Sequence, residues 1–211
     1  MQLADRSAGL AMTGTPSPTT VQIAATNIVG LVRIRAAQFP DPRGTFTRFL
    51  DTSSLAGSGI DLSSIEQIGA SMSAKGVARG LHTRVSPGET KFVRCTKGAI
   101  FDVAVDLRPW SPSFRTWQSF DLNEETPEHL WFPVGVAHGF QALADDTEVT
   151  YLLGGEHRPD DERVIALDDP QLGIPWPLPV GERSARDAAA PSLHEVEAQL
   201  LTWFPEQTSK E

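Results

Sequence analysis

The segment Lys91-Phe-Val-Arg-Cys-Thr-Lys-Gly-Ala-Ile-Phe-Asp-Val-Ala-Val-Asp-Leu107 holds two runs of strict alternation with a turn, Lys97-Gly98, between them. In the first, Lys91, Val93 and Cys95 share a face. In the second, Phe101, Val103, Val105 and Leu107 take one side, Asp102 and Asp106 the other. A period of two is the signature of a β-strand, because successive side chains leave opposite faces of a pleated backbone. Downstream, Arg108–Phe114 carries two prolines and is a loop, Thr116–Leu122 is another strand, and Glu128–Phe132 is a short run closed by Pro133 and Gly135. Gly139–Leu143 and Glu148–Leu153 flank Ala144-Asp-Asp-Thr147, which reads as a hairpin. Upstream, Val21–Arg35 is β-branched and reads as one or two edge strands. Phe39-Pro-Asp-Pro-Arg-Gly44 is a turn, Thr45–Leu50 resumes a strand, and Asp51–Leu62 is a loop or a short helix.

Many short strands with turn residues between them define an antiparallel all-β chain. A parallel α/β arrangement needs helices between its strands, and none is legible before residue 180. The chain ends differently. Gly173–Pro179 is rigid and Pro-rich, and Ser192 with Glu195 has capping-box spacing. Leu193, Val196, Leu200 and Trp203 follow at helical intervals, so Ser192–Trp203 reads as a terminal helix packed on the barrel. Residues 1–20, rich in Ser, Thr, Gly and Pro from Ser7 onward, read as a flexible lead-in, and 21–211 as a single domain.

Composition bounds the function. The 211 residues carry 18 Lys plus Arg against 27 Asp plus Glu, a formal charge of -9. That balance disfavours a broad nucleic-acid or anionic-membrane surface while leaving room for a local cationic pocket. No apolar run reaches the ~20 residues of a membrane span, the opening residues lack a secretory pattern, and a cytoplasmic enzyme is expected. One cysteine, Cys95, excludes an internal disulfide.

Of five histidines, His129 and His194 read as structural or surface groups. His82, in Arg79-Gly-Leu-His82, and His138, in Gly135-Val-Ala-His138-Gly-Phe140, sit where glycines bracket an apolar strand, a setting that suits a pocket residue as readily as a packed one. A metal site is not expected. The compact pair of histidines two apart, followed by a glutamate, is missing, and Arg84 stands two residues after His82, a cation where a ligand is wanted. Tyr151, the only tyrosine, alternates with Val149 and Leu153. It is either a half-buried aromatic or a proton donor beside an imidazole.

The ordered set of motifs resembles the dTDP-4-dehydrorhamnose 3,5-epimerase family. Its members here are Phe39-Pro-Asp-Pro-Arg-Gly44, Gly76-Val-Ala-Arg-Gly-Leu-His82, Lys91-Phe-Val-Arg94, Asp102-Val-Ala-Val-Asp-Leu-Arg108, Ser111-Pro-Ser-Phe114, Phe132-Pro-Val-Gly-Val-Ala-His-Gly-Phe140, Asp168-Asp-Pro170, Ile174-Pro-Trp-Pro177 and Ser184-Ala-Arg-Asp187. The likeness runs from about Ile28 to Leu193. It implies a cupin, a double-stranded β-helix jelly roll, with a short C-terminal helix. It implies epimerisation of a dTDP-4-keto-6-deoxyhexose at C3, C5 or both, without metal or other cofactor, in a homodimer whose N-terminal strands are exchanged. By resemblance, His82 is the base, Asp187 orients it, Tyr151 is the acid and Lys91 holds the C4 oxygen. Arg79, His138 and His157 fall on pocket positions, and Arg43 on an arginine that reaches the nucleotide, often across the dimer.

Departures from the family pattern are specific. Arg84 and Glu89 each stand where glutamine is usual, Arg48 where an acid is usual, Gly69 where asparagine is usual, and His157 where a tyrosine shapes the sugar pocket. Arg84 and Glu89 are therefore added to the expected substrate contacts, and selectivity between C3 and C5 is left open. Two other readings remain: a non-catalytic sugar-nucleotide-binding cupin, and a 3,4-ketoisomerase on a related barrel.

Overall fold

A computed structural model describes residues 18–85 and 87–206. Most of the lead-in expected over residues 1–20 lies outside the described residues. Thirteen strands are present among them: β1 Gln22–Ala25, β2 Val32–Arg35, β3 Ala37–Asp41, β4 Gly44–Arg48, β5 Ile65–Ser73, β6 Ala78–Arg84, β7 Lys91–Lys97, β8 Ala99–Asp106, β9 Trp117–Asn123, β10 Glu128–Phe132, β11 Val136–Ala142, β12 Thr147–Gly154 and β13 Glu162–Val164. They form a six-stranded sheet in the order β1-β2-β10-β7-β12-β5, a facing five-stranded sheet in the order β13-β6-β11-β8-β9, and a separate β3-β4 hairpin. Every pairing is antiparallel. The fold is the expected all-β jelly roll.

Three apolar layers hold it together. Val93, Cys95, Ile100, Ala104, Leu130, Phe132, Phe140 and Val149 fill the space between the sheets. Val103, Val105, Leu107 and Ala137, on the outer face of the five-stranded sheet, pack against Leu193, Val196, Leu200, Trp203 and Phe204. Val32, Ile34, Phe92 and Trp131, on the outer face of the other sheet, are covered by Leu50, Ile60, Leu62 and Ile65. Each fully buried Leu, Ile or Phe contributes about 1.5–3 kcal/mol, so the covered outer faces weigh as heavily as the barrel interior.

This two-sided burial changes the meaning of the β8 alternation. Ordinary alternation would send Asp102 and Asp106 to solvent, yet both are fully buried. Asp106 accepts hydrogen bonds from Arg108, Ser111 and Ser113 and pins the loop that follows. Asp102 points between the sheets, toward the site described below.

The structure corrects several expectations. Ala144-Asp-Asp-Thr147 does not close a hairpin: β11 pairs with β6 and β8, whereas β12 pairs with β5 and β7 in the opposite sheet. A turn sequence marks a reversal of the chain but not the sheet that receives it. The terminal helix over Ser192–Trp203 is broken into α2, Leu193–Val196, a 3-10 turn over Glu197–Gln199, and α3, Leu200–Trp203. Its capping box is nonetheless formed, Ser192 bonding the Glu195 N–H and Glu195 the Ser192 N–H. Strands β3, which takes in Phe39–Asp41 of the expected turn, β5 and β13 and the short helix α1, Ala185–Ala188, were not anticipated. The irregular stretch after Asp51 holds two 3-10 turns, Thr52–Leu55 and Leu62–Ser64. Histidine 129 is fully buried between Phe49 and Phe92, and burial pushes its pKa down to about 3, so it is a neutral core group. Among the described residues no helix is long and apolar enough to cross a membrane.

Candidate active site

A cavity of about 370 Å³ opens between the two sheets. Such a volume suits a small organic ligand. The five-stranded sheet supplies one wall. His82 on β6 and His138 on β11 are direct cross-strand partners. Arg79 stands three residues before His82, and the pairing of β6 with β11 shifts register between them. The strands can approach because Gly80 meets Gly139: a Cβ on Gly80 would lie 2.5 Å from the Gly139 Cα and 2.8 Å from the His138 carbonyl oxygen. The facing sheet supplies the other wall with Tyr151 and Leu153 of β12, Ser71 of β5 and Lys91 at the start of β7.

Each imidazole holds a carboxylate. His82 Nε2 lies 2.7 Å from Asp187 Oδ1. Asp187 sits in α1, whose N-cap Ser184 accepts from the Asp187 N–H, and its carboxylate is buried while the His82 ring remains 41% exposed to the cavity mouth. Burial pushes the Asp187 pKa up. Hydrogen bonds from His82, the Gly80 backbone and Ser184 outweigh that and hold it below the ordinary carboxylate range. The group is therefore ionised at neutral pH. The stability it contributes is present above that range and is lost as pH falls through the lowered value. A carboxylate on one ring nitrogen keeps a proton there and leaves the other nitrogen to accept one.

The second pair was missed from sequence. His138 Nε2 lies 2.6 Å from Asp102 Oδ2, both groups buried. Burial raises the Asp102 pKa against the pull of His138 and Lys91. The signal was present: Asp102 shares its phase on β8 with Ile100 and Ala104, which cannot be a solvent face. The His138 ring also sits edge-on to Tyr151, with centroids 6.1 Å apart. Ser71, likewise not singled out, lies 3.1 Å from the Tyr151 hydroxyl. Burial raises the Tyr151 pKa despite that bond, so the phenol keeps its proton at pH 7.

The remaining expected residues divide. Arg79 lines the cavity, donating to Ser73 Oγ and the Met72 carbonyl. His157 is exposed at the rim. Lys91 Nζ donates to the His82 carbonyl at 3.2 Å and pairs with Glu89 at 3.1 Å. Glu89 in turn pairs with Arg84 at 2.6 Å. Arg43 does not reach its own chain's cavity. It sits at the tip of the β3-β4 hairpin, its side chain 90% exposed and paired with Asp41.

Facing walls that offer an imidazole–carboxylate pair, a protonated phenol and a lysine define a pocket, on a jelly-roll barrel, with groups able to accept and donate protons. A family profile described as dTDP-4-dehydrorhamnose 3,5-epimerase matches residues 25–195. A dTDP-4-dehydrorhamnose 3,5-epimerase of Mycobacterium tuberculosis is 40% identical over 177 residues, covering 81% of this chain and 86% of that protein. The crystal structure of NovW, a 4-keto-6-deoxy sugar epimerase from the novobiocin gene cluster of Streptomyces spheroides, superposes with a TM-score of 0.82 at 34% identity, covering 89% of this chain and 96% of NovW. An epimerase of Legionella pneumophila, solved in complex with dTDP-4-keto-L-rhamnose, has a TM-score of 0.80 at 35% identity, covering 89% of this chain and 100% of that one. The chain belongs to the dTDP-4-dehydrorhamnose 3,5-epimerase family, a family of isomerases.

Proposed function

We propose that the protein epimerises a dTDP-4-keto-6-deoxyhexose at C3, C5 or both through an enolate. The observation that carries this reading is the placement of the His82–Asp187 pair on one sheet and Tyr151 on the facing one, around one cavity. The C4 ketone acidifies the neighbouring C–H bonds. His82 takes the proton on the ring nitrogen that Asp187 leaves free, and Asp187 stabilises the imidazolium that results. The electron pair moves into the enolate, whose oxygen Lys91 and Arg79 hold; losing one such donor typically raises the barrier by about 3 kcal/mol. Tyr151 gives its proton to the same carbon from the other side, inverting it, and the phenolate and imidazolium then re-equilibrate with solvent. No atom is gained or lost overall.

The test is incubation with freshly prepared dTDP-4-keto-6-deoxyglucose in deuterated water, read by NMR. Deuterium at C3 or C5 together with an inverted centre supports the reading. No incorporation would leave a binding cupin, and a carbonyl moved from C4 to C3 would make the protein a ketoisomerase. In the same experiment, His157→Tyr is expected to change the C3:C5 deuterium ratio by about tenfold, the scale of one altered pocket contact. An unchanged ratio removes His157 from the selectivity determinants.

The working form is a homodimer in this reading. Strand β5 is an outer edge of its sheet, with Ile68 and Met72 exposed, and the hairpin residue Phe46 is also 63% exposed. An open apolar edge invites strand addition, and a hairpin from a second copy would bring its Arg43 toward the nucleotide. Sedimentation at twice the chain mass is the expected result; a monomer that exchanges deuterium at full rate would exclude it.

A further inference from the structure

Arg84 and Glu89 were expected to touch substrate, yet their charges are directed at each other and at Lys91. The two side chains carry opposite charge. Arg84, last in β6, and Glu89, in the loop before β7, meet at 2.6 Å with side chains 4% and 6% exposed. The other Glu89 oxygen lies 3.1 Å from Lys91 Nζ. The other arm of Arg84 donates to the Glu156 carbonyl at 2.8 Å, next to His157 on the cavity rim.

We propose that Arg84 and Glu89 form one compensated positioning pair that sets where the Lys91 ammonium sits in the cavity and ties that position to the His157 rim segment. Two cations and one carboxylate leave a single net positive charge in the cavity wall. Neither member is useful alone. Without Glu89, two buried cations repel and Lys91 is displaced. Without Arg84, Glu89 neutralises the lysine and the rim loses its anchor. Removing one partner of a buried ion pair leaves an uncompensated charge, whereas neutralising both is tolerated far better. The proposal rests on the epimerase reading, because Lys91 matters there as the group that holds the C4 oxygen.

The test is a double-mutant cycle with Glu89→Gln, Arg84→Gln and the double variant. Deuterium exchange supplies kcat and KM, calorimetry supplies dTDP affinity, and denaturant supplies stability. Glu89→Gln is expected to lower kcat about tenfold or more, as displacement of a catalytic group by part of an ångström does, with dTDP bound as tightly as by the unaltered protein or more so. Arg84→Gln is expected to weaken dTDP binding and raise KM. The double variant is expected to recover most of the lost kcat and stability. Single variants that lose only stability, with kcat within about twofold of the unaltered protein, would overturn the positioning role. A double variant slower than either single one would overturn the compensation. If the unaltered protein shows no exchange at all, the epimerase reading fails, and the compensation is then judged from dTDP affinity and stability alone.

Discussion

His82→Ala is expected to reduce deuterium exchange at the sugar carbons to the uncatalysed background. In the proposed chemistry His82 is the group that takes the proton, and without it no enolate forms and no later step proceeds. A positioned general base is worth about 10²–10⁴-fold. The larger figure applies here, because the other imidazole on that wall, His138, has a side chain only 6% exposed, against 41% for His82, and so offers the sugar far less access. Alanine also deprives the buried Asp187 of its cavity-side partner, although the Gly80 N–H and Ser184 continue to serve that carboxylate. His82→Asn is therefore the companion variant, since its amide can donate to Asp187 and preserve the local structure. Both variants should bind dTDP, and neither should exchange. Exchange at more than a few per cent of the unaltered rate in either one assigns the base to another residue.

Tyr151→Phe is expected to separate the two halves of the reaction. Deuterium should still enter, because His82 can remove a proton and return a deuteron to the same face. The inverted product should fall by about 10²-fold or more. The buried phenol is suited to this because its raised pKa keeps it protonated through the neutral range, and a carbanionic carbon is basic enough to take that proton. Phenylalanine keeps the ring and its edge-on contact with His138, so the loss can be attributed to the hydroxyl. Equal inversion by the variant would remove Tyr151 as the opposite-face acid and leave Lys91 or solvent in that role. Loss of exchange and inversion together would mean that the phenol also helps hold the enolate.

Both expectations rest on groups whose identities were legible in the chain. The alternation of Lys91–Leu107 fixed the structural class, since only a pleated strand puts every second side chain on one face. The ordered motifs marked His82, Asp187, Tyr151 and Lys91 without reference to coordinates. The capping box at Ser192 was legible for the same reason: its partners are three residues apart, and the bond is local.

Tertiary structure decided whatever depended on pairing between distant segments. Period two says which residues share a face but not which strand lies alongside, so residues 144–147 read as a hairpin although they carry the chain from one sheet to the other. It cannot say whether a face meets water, so the acids of β8 looked ordinary until the C-terminal segment was seen covering the opposite side and Asp102 was found against His138. Nor can it report that Arg84 and Glu89, five residues apart, close an ion pair that reaches Lys91, or that Arg43 stands outside the cavity of its own chain. Sequence by itself determined the all-β class, most of the strands and the principal chemical groups. The partners of those groups were set by the antiparallel stacking of two sheets, because β-pairing joins residues far apart in the chain and a buried charge takes its character from whatever lies within a few ångströms of it.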